Sequence, residues 1–106
     1  SEFNLKHDPG GIIDVEFIVQ YLVLGHAHRH QRLTGNLGNI ALLRIAAELG
    51  LIPADQATAA GDAYREFRRL QHAKRLSANP TGRVKRDSVA RHIAAVNGLW
   101  RTVFGK

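Results

Sequence analysis

The chain has 106 residues, with 15 Lys+Arg against 9 Asp+Glu, 6 His, a formal net charge of +6, and neither Cys nor Met. That length holds one domain, and the absence of cysteine excludes a disulfide framework, a thiolate zinc site and a cysteine nucleophile. The longest apolar run, Ile12 to Leu24, is interrupted by Asp14, Glu16 and Gln20, so it is too short and too polar to cross a bilayer. The polar start does not read as a signal peptide, and the composition suits a reducing cytoplasm.

Ser1-Glu2-Phe3 reads as a cloning scar, because no Met precedes it and Glu-Phe is what an EcoRI site encodes. These three residues are therefore set outside the fold. Residues 4–11 form a short lead-in with a Pro9-Gly10-Gly11 turn, and residues 12–106 form the domain.

The first helix is expected from Ile12 toward the His/Arg cluster near His30, its length favouring helix over strand. Ten of the thirteen residues from Ile12 to Leu24 are apolar, which leaves no clean polar face. Either this helix lies at the centre of the domain or a partner surface is absent. Leu33-Thr34-Gly35-Asn36 reads as a connection, with Thr34 or Asn36 capping a second helix from about Leu37 to Gly50. Its stripe is Leu42, Ile45, Ala46 and Leu49. Pro53 opens a third helix with Ala60, Ala63, Tyr64, Phe67 and Leu70 on its inner face and Arg65, Arg68, Arg69 and Lys74 outside. Ser77 to Arg86 is a linker containing Asn-Pro-Thr-Gly. Asp87 or Ser88 then caps a fourth helix with the seam Val89, Ile93, Val96, Trp100 and Val103, spaced as in packed helices. The fold class is all-α, an antiparallel bundle of about four main helices.

Each polar motif has a chemical and a structural reading. The basic surface could bind phosphates, but no aromatic residues interleave the arginines and no helix-turn-helix signature is present, so a solvated face is preferred and nucleic acid is not the expected partner. His26 and His30 have the i, i+4 spacing of a zinc-binding helix, yet His28, Arg29 and His30 are equally explained by the negative end of a helix. Asp14 and Glu16 could be a magnesium-binding pair, but i and i+2 side chains point apart, and stabilisation of the helix N-terminus accounts for them. Gly10-Gly11 could offer free N–H groups to a phosphate, or simply make a tight turn. No metal site or catalytic residue is assigned.

These residues also carry a resemblance. Asn4-Leu5-Lys6-His7-Asp8-Pro9-Gly10-Gly11-Ile12-Ile13-Asp14-Val15-Glu16-Phe17-Ile18-Val19-Gln20 resembles the Lys-x-x-x-Gly-Gly-Ile-x-Asp-Ile-Glu-Phe-Ile-x-Gln segment of bacterial glutamine-synthetase adenylyltransferases. The likeness continues through Leu33-Thr34, Asn39-Ile40, Ala63-Tyr64-x-x-Phe67-Arg68 and the Trp100 region. It implies an enzyme of two similar halves, each a nucleotidyltransferase domain followed by a helical domain. One half attaches AMP from ATP to a tyrosine of glutamine synthetase, and the other removes it by phosphorolysis. Ile13-Asp14 and Gln20-Tyr21-Leu22-Val23-Leu24 match the attaching half, whose helical domain is the C-terminus of the enzyme.

The Gly-Ser-x-x-Asp-x-Asp motif that holds Mg²⁺ in that family does not occur in this chain. The resemblance therefore implies a helical domain, silent by itself and without a cofactor of its own, in an enzyme that uses ATP and Mg²⁺. Its implied partners are the nucleotidyltransferase domain of the same polypeptide, glutamine synthetase and the PII signal protein. The expected domain junction comprises Lys6, Gly10, Gly11, Ile12, Asp14, Glu16, Phe17 and Gln20, with the two glycines admitting the neighbouring backbone. A side chain at either glycine is expected to disturb that junction more than the bundle.

Overall fold

A computed structural model describes residues 1–77 and 81–106. Among them four α-helices, α1 (Ile12–His26), α2 (Asn39–Glu48), α3 (Ala54–Arg75) and α4 (Ala90–Phe104), make a helical bundle. Two short strands, β1 (Glu2–Asn4) and β2 (Arg83–Lys85), and 3-10 turns at Gln31–Leu33 and Arg86–Val89 complete it. The longest helix, α3, has 22 residues and packs against the other three. Its small residues explain that position. Ala57, Ala60, Gly61 and Ala63 are buried and let neighbouring backbones approach, while Phe67 fills the space beyond them.

The ends of the helices differ from the sequence expectation in instructive ways. Gly38, rather than Thr34 or Asn36, is the N-cap of α2. The Thr34 hydroxyl is occupied instead, donating to the Gln31 carbonyl at 2.6 Å and closing the 3-10 turn. At the other end Gly50 takes φ +79°, its N–H bonds to the Ala47 carbonyl, and the Leu51 N–H bonds to that of Ala46. This is the paired arrangement that a left-handed residue after a helix permits. Neither Asp87 nor Ser88 caps α4: Ser88 donates back to the Lys85 carbonyl, and the 3-10 turn leads into α4 with Val89 as its N-cap. The inner face of α4 is Ile93, Val96 and Leu99, so Trp100 lies at the edge of the core instead of within it.

The largest correction concerns the first residues. Glu2, Phe3 and Asn4 pair antiparallel with Lys85, Val84 and Arg83. Phe3 is completely buried, with its ring centroid 5.7 Å from that of Phe67 and the Arg86 guanidinium over the ring, 5.2 Å from its centroid. Ser1–Phe3 therefore belongs to the fold, because an aromatic ring with no exposed surface is a core residue whatever its position in the chain. The same pairing turns the end of the expected linker, Arg83–Lys85, into a strand. Positions 78–80 of that linker lie outside the described residues.

Phe3→Ala is expected to destabilise the chain by about 3–5 kcal/mol, the usual cost of truncating a buried phenylalanine. Chemical denaturation followed by circular dichroism measures it. A loss below about 1 kcal/mol would return these residues to the status of an appendage.

Candidate functional site

Helix α1 is apolar on two sides. One side supplies Ile12, Val15, Ile18, Val19 and Leu22 to the core. The other carries Ile13, Phe17, Tyr21 and Leu24, which are 38%, 52%, 49% and 73% exposed. This disposes of the alternative that α1 lies at the centre of the bundle. Phe17 stacks on Trp100 with centroids 5.7 Å apart, Tyr21 meets Phe104 edge-on at 4.8 Å, and Trp100 and Phe104 are 4.5 Å apart. Four of the chain's seven aromatic residues thus form one partly exposed face along α1 and the C-terminal half of α4. Contiguous apolar surface of this kind is unusual unless something covers it.

A polar tie beside this face holds three helices in place. Asn39 Nδ2 of α2 donates to the Tyr64 hydroxyl of α3 at 3.0 Å, and that hydroxyl donates to Glu16 Oε2 of α1, also at 3.0 Å. Burial, with the Glu16 carboxylate adding to it, pushes the Tyr64 phenol above its ordinary value. The three side chains come from three separate stretches of sequence, each of which carried the family resemblance.

The lead-in to α1 is bonded closely to the start of that helix. Asn4 Oδ1 accepts from the Lys6 and His7 N–H groups, the Leu5 and Lys6 carbonyls accept from Ile12 and Ile13 at 2.8 and 3.1 Å, and the Gly11 N–H bonds to the Asp8 carbonyl. Asp14 Oδ2 accepts from the Gly10 N–H at 2.8 Å. Asp14 thus sits in the first turn of α1, where an acid at the helix N-terminus was expected, and the N–H groups from Gly10 to Ile13 are all engaged. None of these four donors is free for a phosphate.

The junction residues consequently divide. A Cβ on Gly11 would lie 2.6 Å from the Leu5 carbonyl oxygen, and one on Gly10, where φ is +90°, 2.9 Å from the Ile93 side chain. The close approach seen at these glycines is to Leu5 and Ile93 of this chain. Ile12 is buried in the core and Asp14 accepts from the Gly10 N–H, while Glu16 is held by Tyr64. Phe17 alone of the eight is part of the aromatic face, and Lys6 and Gln20 are exposed. Tyr21, Trp100 and Phe104 were missed as site residues, because on a sequence an apolar residue at helical spacing reads as core.

The remaining clusters are weaker. α1 ends at His26, with His28 and Arg29 in a turn and His30 extended, so His26 and His30 do not share a helical face. Among the described residues no three His, Cys, Asp or Glu side chains are grouped to hold a metal ion. No helix among them is long and apolar enough to cross a membrane. A groove of about 520 Å³ between α3 and α4 is lined by Asp62, Arg65, Glu66, Arg69, Arg91 and His92. Its charges largely answer one another, Arg65 to Asp62 at 3.1 Å and Arg69 to Glu66 through two bonds. The Arg69 fork holds the Glu66 carboxyl below its ordinary value, and burial does the same to the His92 imidazole.

Comparison with known proteins places this geometry. A family model described as GlnD PII-uridylyltransferase matches residues 1–103. The chain belongs to this family. The match takes in Ser1–Phe3, in keeping with the burial of Phe3. A bifunctional glutamine synthetase adenylyltransferase/adenylyl-removing enzyme of Aromatoleum aromaticum is 64% identical over 105 residues, which are 99% of this chain and 11% of that protein. Enzymes of the same name from Nitrosomonas europaea and Bordetella bronchiseptica are 54% and 57% identical over 97% and 95% of the chain. The chain spans only 11–13% of the length of these relatives.

Two outcomes follow from the local geometry. Gly11→Val should destabilise the isolated chain by about 1–3 kcal/mol through overpacking, lowering its melting temperature by at least about 4 °C. An unchanged melting curve would mean that the turn relaxes freely. Tyr64→Phe should cost about 1 kcal/mol in denaturant unfolding, as expected for a partly buried hydroxyl that both accepts and donates.

Proposed function

We propose that this chain is the helical domain that supports the adenylyltransferase half of a glutamine-synthetase adenylyltransferase, docking its aromatic face against the nucleotidyltransferase domain of the same polypeptide. The observation that carries this reading is the partly exposed cluster of Phe17, Tyr21, Trp100 and Phe104 on a chain about one-tenth as long as its relatives. Burying such side chains contributes about 1.5–3 kcal/mol each, enough for a few of them to fix one domain on another.

In this proposal the reacting groups belong to the partner domain. AMP passes from ATP to a tyrosine of glutamine synthetase there, with Mg²⁺ held by carboxylates of that domain, and the opposing half of the enzyme removes it by phosphorolysis. Metal-assisted transfer needs acidic ligands that converge, and Asp14 and Glu16 are engaged separately, by the Gly10 N–H and by the Tyr64 tie. The present chain supplies a rigid wall: α1, fixed by its lead-in and by the polar tie, holds Phe17 and Tyr21 at a set angle to Trp100 and Phe104 on α4. Glutamine synthetase and the PII protein are the partners proposed for the whole enzyme, in the cytoplasm. A nucleic-acid role is less well supported, since the rings of the aromatic face pack on one another and Arg32, Arg44, Arg65, Arg69 and Arg86 are each paired with a carboxylate.

In the full-length enzyme Phe17→Ser is expected to lower AMP transfer to glutamine synthetase at least about tenfold, a difference of about 1.4 kcal/mol. The same change should move the melting temperature of the isolated chain little. Labelled ATP measures the first and circular dichroism the second. Full activity in the variant would remove the docking face, and AMP transfer by the isolated chain above the no-enzyme background would overturn the supporting role.

A further inference from the structure

We propose that a small cationic pocket at the end of α3 binds a phosphate-class oxyanion, either free phosphate or diphosphate or the phosphate chain of a nucleotide. This inference is independent of the aromatic face, which lies on other helices.

The pocket has a volume of about 200 Å³, and its polar lining includes Lys6, His7, Gln71, Lys74, Arg75 and Thr81. Three segments build it. In the last turns of α3, Gln71, Lys74 and Arg75 fall at i, i+3 and i+4 and so share one face. Asn4 Oδ1, by accepting from the Lys6 and His7 N–H groups, folds the lead-in so that both basic side chains border the same opening. The Leu5 N–H, donating to the Gly82 carbonyl at 3.0 Å, joins that lead-in to the segment carrying Thr81.

The charge is uncompensated. Among the described residues none of Lys6, Lys74 and Arg75 takes part in an ion pair, and no carboxylate lines the pocket. Asp8, the nearest acid along the chain, is committed to the Asn4 N–H at 2.8 Å and to Arg86 at 3.8 Å. Lys74 is only partly exposed. Cations in the last turn of a helix are stabilised by its negative end, which accounts for Lys74 and Arg75. It does not account for Lys6 and His7, brought to the same opening from a segment distant in sequence. Ammonium, guanidinium, amide and hydroxyl groups lining one opening without an acid are the donor set for a multiply charged oxyanion. The volume is below the roughly 300–1,000 Å³ of pockets that enclose drug-sized molecules, so it suits one or two phosphate groups with any nucleoside lying outside.

Titration of the ¹⁵N-labelled chain with inorganic phosphate, diphosphate and ATP, each separately at low ionic strength, tests this. Saturable shifts are expected at the amides of Lys6, His7, Thr81 and Gly82. Lys6→Ala and Lys74→Ala should each weaken binding at least about fivefold, Lys74→Arg should largely retain it, and Arg91→Ala, on the α3–α4 groove, should leave it unchanged. Saturation by ATP alone would assign the pocket to a nucleotide-borne phosphate, and saturation by phosphate or diphosphate to the free anion. Absence of saturation by all three at about 20 mM, or losses in the two alanine variants no larger than in Arg91→Ala, would overturn the proposal. Circular dichroism of each variant confirms that the comparison is made between folded chains.

Discussion

The contact of Phe3 with Phe67 is the constraint on which the rest of this molecule depends. It draws the first strand onto the longest helix and fixes the β1–β2 ribbon beside α3. From that anchor the chain has only seven residues, 5–11, before α1 begins, so the lead-in must fold tightly. Its carbonyls then meet the first N–H groups of α1. A helix start that would otherwise leave orphan donors is satisfied by the backbone that delivers it. Both features of functional interest, the aromatic face and the cationic pocket, follow from this short path.

The direction of α1 has a second determinant. Tyr64 receives a hydrogen bond from α2 and gives one to α1, so a single hydroxyl on the central helix relates the orientations of its two neighbours. Buried apolar contacts are non-directional and tolerate small rotations, whereas a shared hydroxyl does not. Rotation of α1 about its axis would exchange its core row, Val15, Ile18 and Leu22, with its outer row, Phe17, Tyr21 and Leu24. Both rows are apolar, so burial alone discriminates weakly between them. The Tyr64 bond to Glu16 and the Gly10 bond to Asp14 supply the missing direction. This explains why two carboxylates two residues apart have unrelated partners, one at the helix start and one across a helix interface.

The positive charge is divided in a way that net charge conceals. On α3 the arginines at 65 and 69 are answered by acids one turn away, and exposed pairs of this kind contribute little to stability. Lys6, Lys74 and Arg75 have no such partners among the described residues. The chemistry of the surface is concentrated where cations converge without acids, not where basic residues are most frequent along the helix.

Much of the fold was legible in the sequence because helices advertise themselves locally. The apolar spacing gave α2 and α3 their inner faces, Gly50 marked the end of α2, and the length of the run from Ile12 gave α1. The unusual apolarity of α1 was legible too, together with its two explanations. The partners across the chain were not legible. Glu2–Asn4 and Arg83–Lys85 are each three residues long, too short for periodicity to speak, and Phe3 is a core residue only because Phe67 lies opposite it. Gly10 and Gly11 signalled a close approach, but whether to this chain or to another depended on where Leu5 and Ile93 came to lie. Trp100 and Leu99 are adjacent and both apolar, and only the packing of α4 against α1 and α3 decided which was buried. Local sequence fixes dihedral preference and hydrophobic period. The pairing of distant segments is selected by burial and hydrogen bonding in three dimensions, so the site belongs to the tertiary structure.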